Sequence, residues 1–95
     1  MDKRSKTRMS LSDAETLALQ ILGFLAEDRR RLSRFLNSTG VRPEELQSNA
    51  GEPAILLAVT QHLLEDESLL LVFASHAEIA PEQVGQAHRL LGEQS

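Results

Sequence analysis

The chain has 95 residues, a formal net charge of −4, and no cysteine, tryptophan or tyrosine, and 41% of its residues are hydrophobic. This length favours a single domain, and the hydrophobic fraction is typical of a folded globular protein rather than a disordered one. The lack of cysteine excludes a disulfide framework and a thiol nucleophile, and no run of about 18 apolar residues is present that could span a membrane.

Charge is distributed unevenly along the chain. Residues 1–10 carry four basic side chains and one acidic one, whereas residues 35–95 carry two basic and nine acidic ones. The basic start shows no apolar periodicity, so we interpret residues 1–11 as a flexible tail. No apolar segment follows this tail, which argues against a secretory signal and makes the cytoplasm the expected location. Met9 is a possible alternative initiator to Met1.

The first helix is predicted from a capping box and an apolar stripe. Ser12 and Glu15 have the spacing at which an N-terminal hydroxyl and an acidic side chain satisfy each other's backbone N–H groups. Apolar residues then recur every three or four positions, which is typical of an amphipathic helix, at Ala14, Leu17, Ala18, Ile21, Leu22 and Leu25.

Five further helices are predicted from residues that start or end a helix. Aspartate can cap a helix and proline is favoured at its first position, and such residues occur at Asp28, Pro43, Pro53, Asp66 and Pro81. Glycine tolerates the left-handed conformation in which many helices end, and it occurs at Gly40, Gly51 and Gly92. The fifth helix is expected to run from Glu67 to about Ala77.

The two halves of the chain align when they are shifted by 38 residues. Residues 17–46 and 55–84 are identical at eight of thirty positions, including an aspartate cap, a phenylalanine and a Pro-Glu pair. This similarity predicts an internal repeat. We expect an all-α, compact bundle of five or six short helices in residues 12–92, followed by a short tail at 93–95. The bundle would contain two similar three-helix units in tandem, packed about the first, fourth and fifth helices.

The predicted fifth helix is unusually apolar. Leu69, Leu71 and Val72 occupy positions at which its counterpart in the first half is polar or charged. Only a strip near Ser68 and Ser75 remains polar. A helix that is apolar around its circumference is usually buried on all sides, and an exposed apolar patch usually marks an interface. Either this helix is the centre of the bundle, or Leu69, Leu71 and Val72 contact another chain.

Three stretches of the sequence carry a likeness to a known family. They are Phe24–Asp28, Arg34–Pro43 with Leu46, and Gly51–Pro53 continued by Leu63–Glu67 and Phe73. With these motifs, the chain from about Ala14 to Leu91 resembles a family of small proteins, found mainly in alphaproteobacteria, that is defined as a domain of unknown function. The resemblance implies an all-helical fold of about 100 residues and implies no activity, cofactor or site residue.

The sequence contains no constellation that is typical of catalysis or metal binding. His62, His76 and His88 are separated by fourteen and twelve residues, which is not the spacing of a helical metal site. The acidic run Glu65–Glu67 is explained by helix capping. A nucleophile elbow and a glycine-rich phosphate loop are both lacking. We therefore predict that the chain is not an enzyme and has no catalytic, cofactor-binding or metal site.

Protein interaction is the function that these observations favour, with a partner protein or a second copy bound through the candidate interface of Leu69, Leu71 and Val72. The alternative is a nucleic-acid-binding accessory protein. It would use the basic N-terminal tail and a basic helix face formed by Arg29, Arg30, Arg31 and Arg34. Nucleic acid is the less favoured partner because Glu44 and Glu45 would face phosphate in any helix-turn-helix arrangement.

Overall fold

The computed structural model of the chain describes residues 8–93, which form six α-helices joined by short turns. The helices are α1 (Leu11–Ala26), α2 (Arg29–Thr39), α3 (Pro43–Asn49), α4 (Pro53–Leu64), α5 (Glu67–Ala77) and α6 (Glu82–Gly92). No strand occurs in this part of the chain. The predicted all-α bundle of short helices is confirmed. Residues 1–7, which form most of the predicted basic tail, lie outside the described residues, as do residues 94 and 95 of the predicted C-terminal tail.

The capping box of α1 is formed by Ser10 and Asp13, so its prediction at Ser12 and Glu15 was wrong. The backbone N–H of Asp13 donates to the Ser10 hydroxyl at 3.0 Å, and the N–H of Ser10 donates to the Asp13 carboxylate at 3.1 Å. Both serines are followed by an acidic residue at the required spacing. A helix that begins after Ser10 also includes Leu11, whose side chain packs against the core.

Asp28 and Asp66 cap α2 and α5, as predicted. The Asp28 carboxylate accepts hydrogen bonds from the backbone N–H groups of Arg30 at 2.9 Å and Arg31 at 3.3 Å. The Asp66 carboxylate accepts one from the N–H of Leu69 at 3.2 Å. The hydrogen bonds from the N–H groups of Arg31 and Arg30 hold the pKa of the Asp28 carboxyl below its ordinary value, because they stabilise its charged form.

α2 and α5 end in the same backbone conformation at positions that are 38 residues apart. Gly40 has φ 78° and ψ 4°, and Glu78 has φ 60° and ψ 45°, so both residues are left-handed. Glycine adopts this conformation freely, whereas a residue with a Cβ atom does so at a cost of about 1 kcal/mol. The boundaries and caps of these two helices therefore coincide under the 38-residue shift.

The core is formed where α1, α4 and α6 pack against one another. Its largest fully buried side chains in these helices are Ile21, Leu25, Leu56, Val59, Thr60, Leu63, Val84 and Leu91. The prediction that α5 belongs to the centre was wrong, since α6 takes that position. The buried residues Val84, Ala87 and Leu91 share one face of α6, so this helix can be covered by α1 and α4 together.

α5 lies at the edge of the bundle. It packs against α4 and buries only Phe73 and Ala74. Its apolar residues are spread around the helix, so a position at the edge can cover only some of them. The third helices of the two halves also differ, because α6 buries three side chains and α3 buries none. The equivalence of two whole three-helix units therefore stays a prediction.

Candidate interaction surfaces

The outer side of α5 carries two half-exposed apolar side chains. Leu71 and Val72 expose 48% and 47% of their surface. Ser68 and Ser75 are also exposed and lie on the same side, three or four residues from each of them. We call this uncharged set, Ser68, Leu71, Val72 and Ser75, the α5 face.

Leu69 does not belong to the α5 face, although the sequence grouped it with Leu71 and Val72. It is partly buried and packs against the core. The physical reason is the helical rotation of about 200° between positions two residues apart, which puts Leu69 and Leu71 on opposite sides. The structure thus leaves two of the three candidate interface residues exposed.

α5 is held against the bundle by an aromatic contact around Phe24 of α1. The Phe24 and Phe73 rings meet edge to face with centroids 5.3 Å apart, and the His76 ring lies 5.8 Å from Phe24. The Arg31 guanidinium of α2 lies 4.4 Å from the centroid of the Phe24 ring. Such contacts contribute about 0.5–1.5 kcal/mol each. Phe24 therefore connects α1, α2 and α5.

A groove of about 310 Å³ lies between α1 and α5 beside this aromatic contact. Its lining includes the Phe24 and Phe73 rings and the polar side chains of Gln20, Glu27 and His76. The two rings are almost fully buried, so the accessible lining is mainly polar, and its carboxylate suits a cationic side chain of a partner.

Three of the four arginines of the predicted basic face are exposed on α2. Arg29, Arg30 and Arg34 line a shallow depression of about 330 Å³ together with Ser33. Arg31 differs from them because it is partly buried on the Phe24 ring. We call Arg29, Arg30 and Arg34 the α2 arginine cluster.

The three histidines lie at separate places. His88 of α6 has its Nδ1 atom 2.9 Å from the hydroxyl of Thr60, which is fully buried in α4. His76 contacts Phe24, and His62 lies between α4 and α2. Within residues 8–93, no group of three or more histidine, aspartate or glutamate side chains could hold a metal ion.

His62 joins α4 to α2. Its Nδ1 atom lies 3.2 Å from the Ser38 hydroxyl, and its ring meets the Phe35 ring edge to face with centroids 5.4 Å apart. Burial lowers the pKa of His62 below its ordinary value, and the charges of Asp66 and Glu65 oppose this effect only in part. The neutral imidazole is therefore favoured in the folded protein.

A family model matches the chain over residues 11–94, which is most of its length. The family is described as a protein of unknown function, DUF3572. The chain belongs to the DUF3572 family. This match confirms the resemblance to a domain of unknown function.

No curated protein and no solved structure matches the chain significantly. No described helix of this DUF3572 chain is long and apolar enough to cross a membrane.

Two features of these surfaces were not found from the DUF3572 sequence. In the sequence, Phe24 stands out only as the first residue of the motif Phe24–Asp28, and its contacts with Phe73 and Arg31 join residues of three different helices. The pair of Thr60 and His88 joins positions 28 residues apart. Helical spacing relates residues within one helix, so it contained no signal for either contact.

Proposed function

We propose that this DUF3572 protein is a non-enzymatic interaction module, adaptor or regulatory in role, that binds a helix of a partner protein on the α5 face. The observation that carries the proposal is the exposure of Leu71 and Val72 on a helix at the edge of the bundle. The face has no charged side chain, and its two serines are small enough to let a partner helix approach closely. Exposed apolar residues grouped in this way are typical of interfaces.

The charge around the α5 face favours a basic partner. Glu67 is exposed in the first turn of α5, Glu78 is exposed at its C-terminal cap, and Glu27 lines the neighbouring groove. We expect the partner to be an amphipathic helix with apolar residues in its centre and lysine or arginine near its ends. A second copy of the chain fits less well, since the same glutamates would approach one another.

The length of α5 sets the size of this interface. Its 11 residues span about 16 Å. The area that such a helix can cover is smaller than the roughly 1,200 Å² at which stable interfaces begin. We therefore expect reversible binding with a micromolar dissociation constant, which suits an adaptor or regulatory role.

The groove between α1 and α6 offers little for catalysis. A groove of about 390 Å³ between α1 and α6 is lined by amide, hydroxyl and apolar side chains and by Asp13. The Asp13 carboxylate already accepts the backbone N–H of Ser10 in the capping box. A nucleophile with an adjacent base is the arrangement that hydrolytic catalysis needs, and these side chains do not form one. This supports the non-enzymatic proposal.

The experiment compares Leu71→Asp with Leu19→Asp, because Leu19 is an equally exposed leucine, at 45%, on the outer side of α1. Each protein is used to capture partners from a lysate treated with nuclease. The captured protein is identified and purified, and its binding is measured by calorimetry. We expect Leu71→Asp to weaken binding at least about tenfold and Leu19→Asp to leave it unchanged.

Three results would contradict the proposal. Equal loss of binding in both variants would show that the interface lies elsewhere. Loss of capture on nuclease treatment would favour the nucleic-acid alternative. A mass that doubles with concentration in light scattering would make a second copy the occupant of the α5 face. Circular dichroism of each variant establishes that it is folded.

A further inference from the structure

The first turn of α2 has a charge that opposes its helix dipole. It consists of Arg29, Arg30 and Arg31 and contains no acidic residue. The N-terminus of a helix is electrically positive, so acidic side chains stabilise it and basic ones destabilise it. Four other helices of the described chain follow this rule, with first-turn acids at Asp13, Glu44, Glu45, Glu67 and Glu82.

The α2 arginine cluster also repels itself. Arg30 and Arg34 are four residues apart on one exposed side of α2, a spacing at which like charges destabilise a helix. No ion pair joins Arg29, Arg30 or Arg34 to another residue of the described chain. The nearby Asp28 carboxylate is directed at the backbone N–H groups of the helix end.

Packing accounts for only one of the arginines of α2. Arg31 lies on the Phe24 ring and so contributes to the contact between α1 and α2. Arg29, Arg30 and Arg34 contact solvent, and of these three only Arg30 has a charge that favours the ionised form of the Asp28 cap. An exposed cluster of like charges that makes no ion pair within the described chain is a candidate binding site, because its mutual repulsion costs stability that a ligand of opposite charge would recover.

We infer that Arg29, Arg30 and Arg34 bind an acidic segment of a partner protein. A guanidinium group binds a carboxylate through two parallel N–H···O hydrogen bonds, which gives both strength and orientation. Arg30 and Arg34 are about 6 Å apart along the helix axis, which matches two glutamates four residues apart on a partner helix. The shallow depression lined by these side chains and Ser33 is open to solvent, so the cluster is accessible to such a helix.

An acidic protein segment fits this cluster better than nucleic acid does. Proteins that bind single strands stack bases on exposed aromatic rings, and the three phenylalanines, the only aromatic residues of the types Phe, Trp and Tyr in the chain, are all buried. The chain has a net charge of −4, which repels a long polyanion. A short acidic segment can contact the cluster without extending over the acidic second half.

This inference is independent of the proposed docking on the α5 face. The two surfaces consist of different residues, and they predict partner segments of opposite charge. If one of the two proposals fails its test, the other is therefore unaffected.

The test uses a fluorescein-labelled helical peptide with glutamates four residues apart, and binding is measured by fluorescence anisotropy at low and at physiological salt. The triple variant Arg29→Gln, Arg30→Gln, Arg34→Gln is compared with Arg42→Gln, Arg89→Gln, which changes exposed arginines outside α2. We expect the triple variant to bind at least about tenfold more weakly than the wild type, and the control to bind as the wild type does. A peptide with glutamine in place of glutamate should not bind.

Arg30→Glu separates binding from folding. An acidic residue in the first turn interacts favourably with the helix dipole and with Arg34 one turn later. Loss of the attraction between Arg30 and the Asp28 carboxylate offsets this gain, so we expect the Tm of the variant to stay within about 2 °C of the wild type while peptide binding is lost. If the arginine served the fold, the Tm would fall instead.

Three outcomes would overturn the inference. They are equal peptide binding by the triple variant, no peptide binding by the wild type at low salt, and tighter binding of a single-stranded DNA of about 12 nucleotides than of the peptide. A fall of more than about 2 °C in the Tm of Arg30→Glu would also overturn it, because the arginine would then serve the fold.

Discussion

Phe24 of α1 and Phe73 of α5 pack edge to face, with ring centroids 5.3 Å apart and ring planes at 65°. Both side chains are buried, and Phe24 also contacts Arg31 of α2. This contact links α5 to α1, and α5 also packs against α4. Leu71 and Val72 lie on the side of α5 that is exposed to solvent.

The two phenylalanines should be energetically coupled. In a double-mutant cycle of Phe24→Leu and Phe73→Leu, we expect a coupling free energy of about 0.5–1.5 kcal/mol, because either substitution alone removes the same ring contact. Urea denaturation of the four proteins measures it. Phe35 is the control, since its ring contacts His62 instead, and Phe24→Leu with Phe35→Leu should be additive. A coupling near zero would show that the ring contact does not hold α5.

The left-handed residues at the ends of α2 and α5 should respond to substitution in opposite ways. Glu78→Gly should raise the free energy of unfolding by about 1 kcal/mol, because glycine relieves the strain of a positive φ. Gly40→Ala should lower it by a similar amount. A Cβ atom at Gly40 would meet nothing within 4 Å, so this cost is conformational and not steric. Thermal unfolding distinguishes these outcomes, and a stabilising Gly40→Ala would refute the argument.

The buried hydroxyl of Thr60 should stabilise the packing of α4 on α6. It lies 2.9 Å from Nδ1 of His88 and donates to the carbonyl oxygen of Leu57 at 2.9 Å. Thr60→Val keeps the shape but removes the hydroxyl, and we expect a loss of about 1–2 kcal/mol in unfolding free energy. Thr16→Val, at an exposed threonine of α1, is the control and should have little effect. Equal effects of the two substitutions would mean that the hydrogen bond to His88 contributes nothing.

His62 should make the folded protein less stable in mild acid. Its pKa is lowered by burial from an ordinary value of 6.5, so the unfolded chain binds a proton at a higher pH than the folded one does. Stability therefore rises with pH across this interval. The contribution of neutral His62 is complete above about pH 6.5 and is lost as the pH falls through the folded-state pKa.

The His62→Gln variant tests this pH dependence. Unfolding free energies of the variant and the wild type are measured between pH 5 and pH 8 and compared at each pH. We expect the wild type to lose more stability than the variant on acidification. Parallel curves would show that His62 titrates alike in the folded and unfolded states.

Helix boundaries in this protein were determined by local sequence. Asp28, Asp66, Pro43 and Pro53 each mark the start of a helix in the structure as predicted, and the fifth helix has its predicted bounds of Glu67–Ala77. Capping depends on residues within about three positions of the helix end, so the end of a helix can be predicted without knowledge of the fold. The start of α1 was missed because two serines matched the same local motif.

The position of each helix in the bundle was decided by tertiary structure alone. The composition of α5 favoured a place in the centre, but α6 lies there and α5 lies at the edge. Composition determines how much apolar surface a helix has, whereas burial depends on which neighbouring helices can cover that surface. Helical rotation alone puts Leu69 and Leu71 on opposite sides of α5, but only the packing of the bundle decides which side is covered. Likewise, only packing on Phe24 distinguishes Arg31 from its neighbour Arg30.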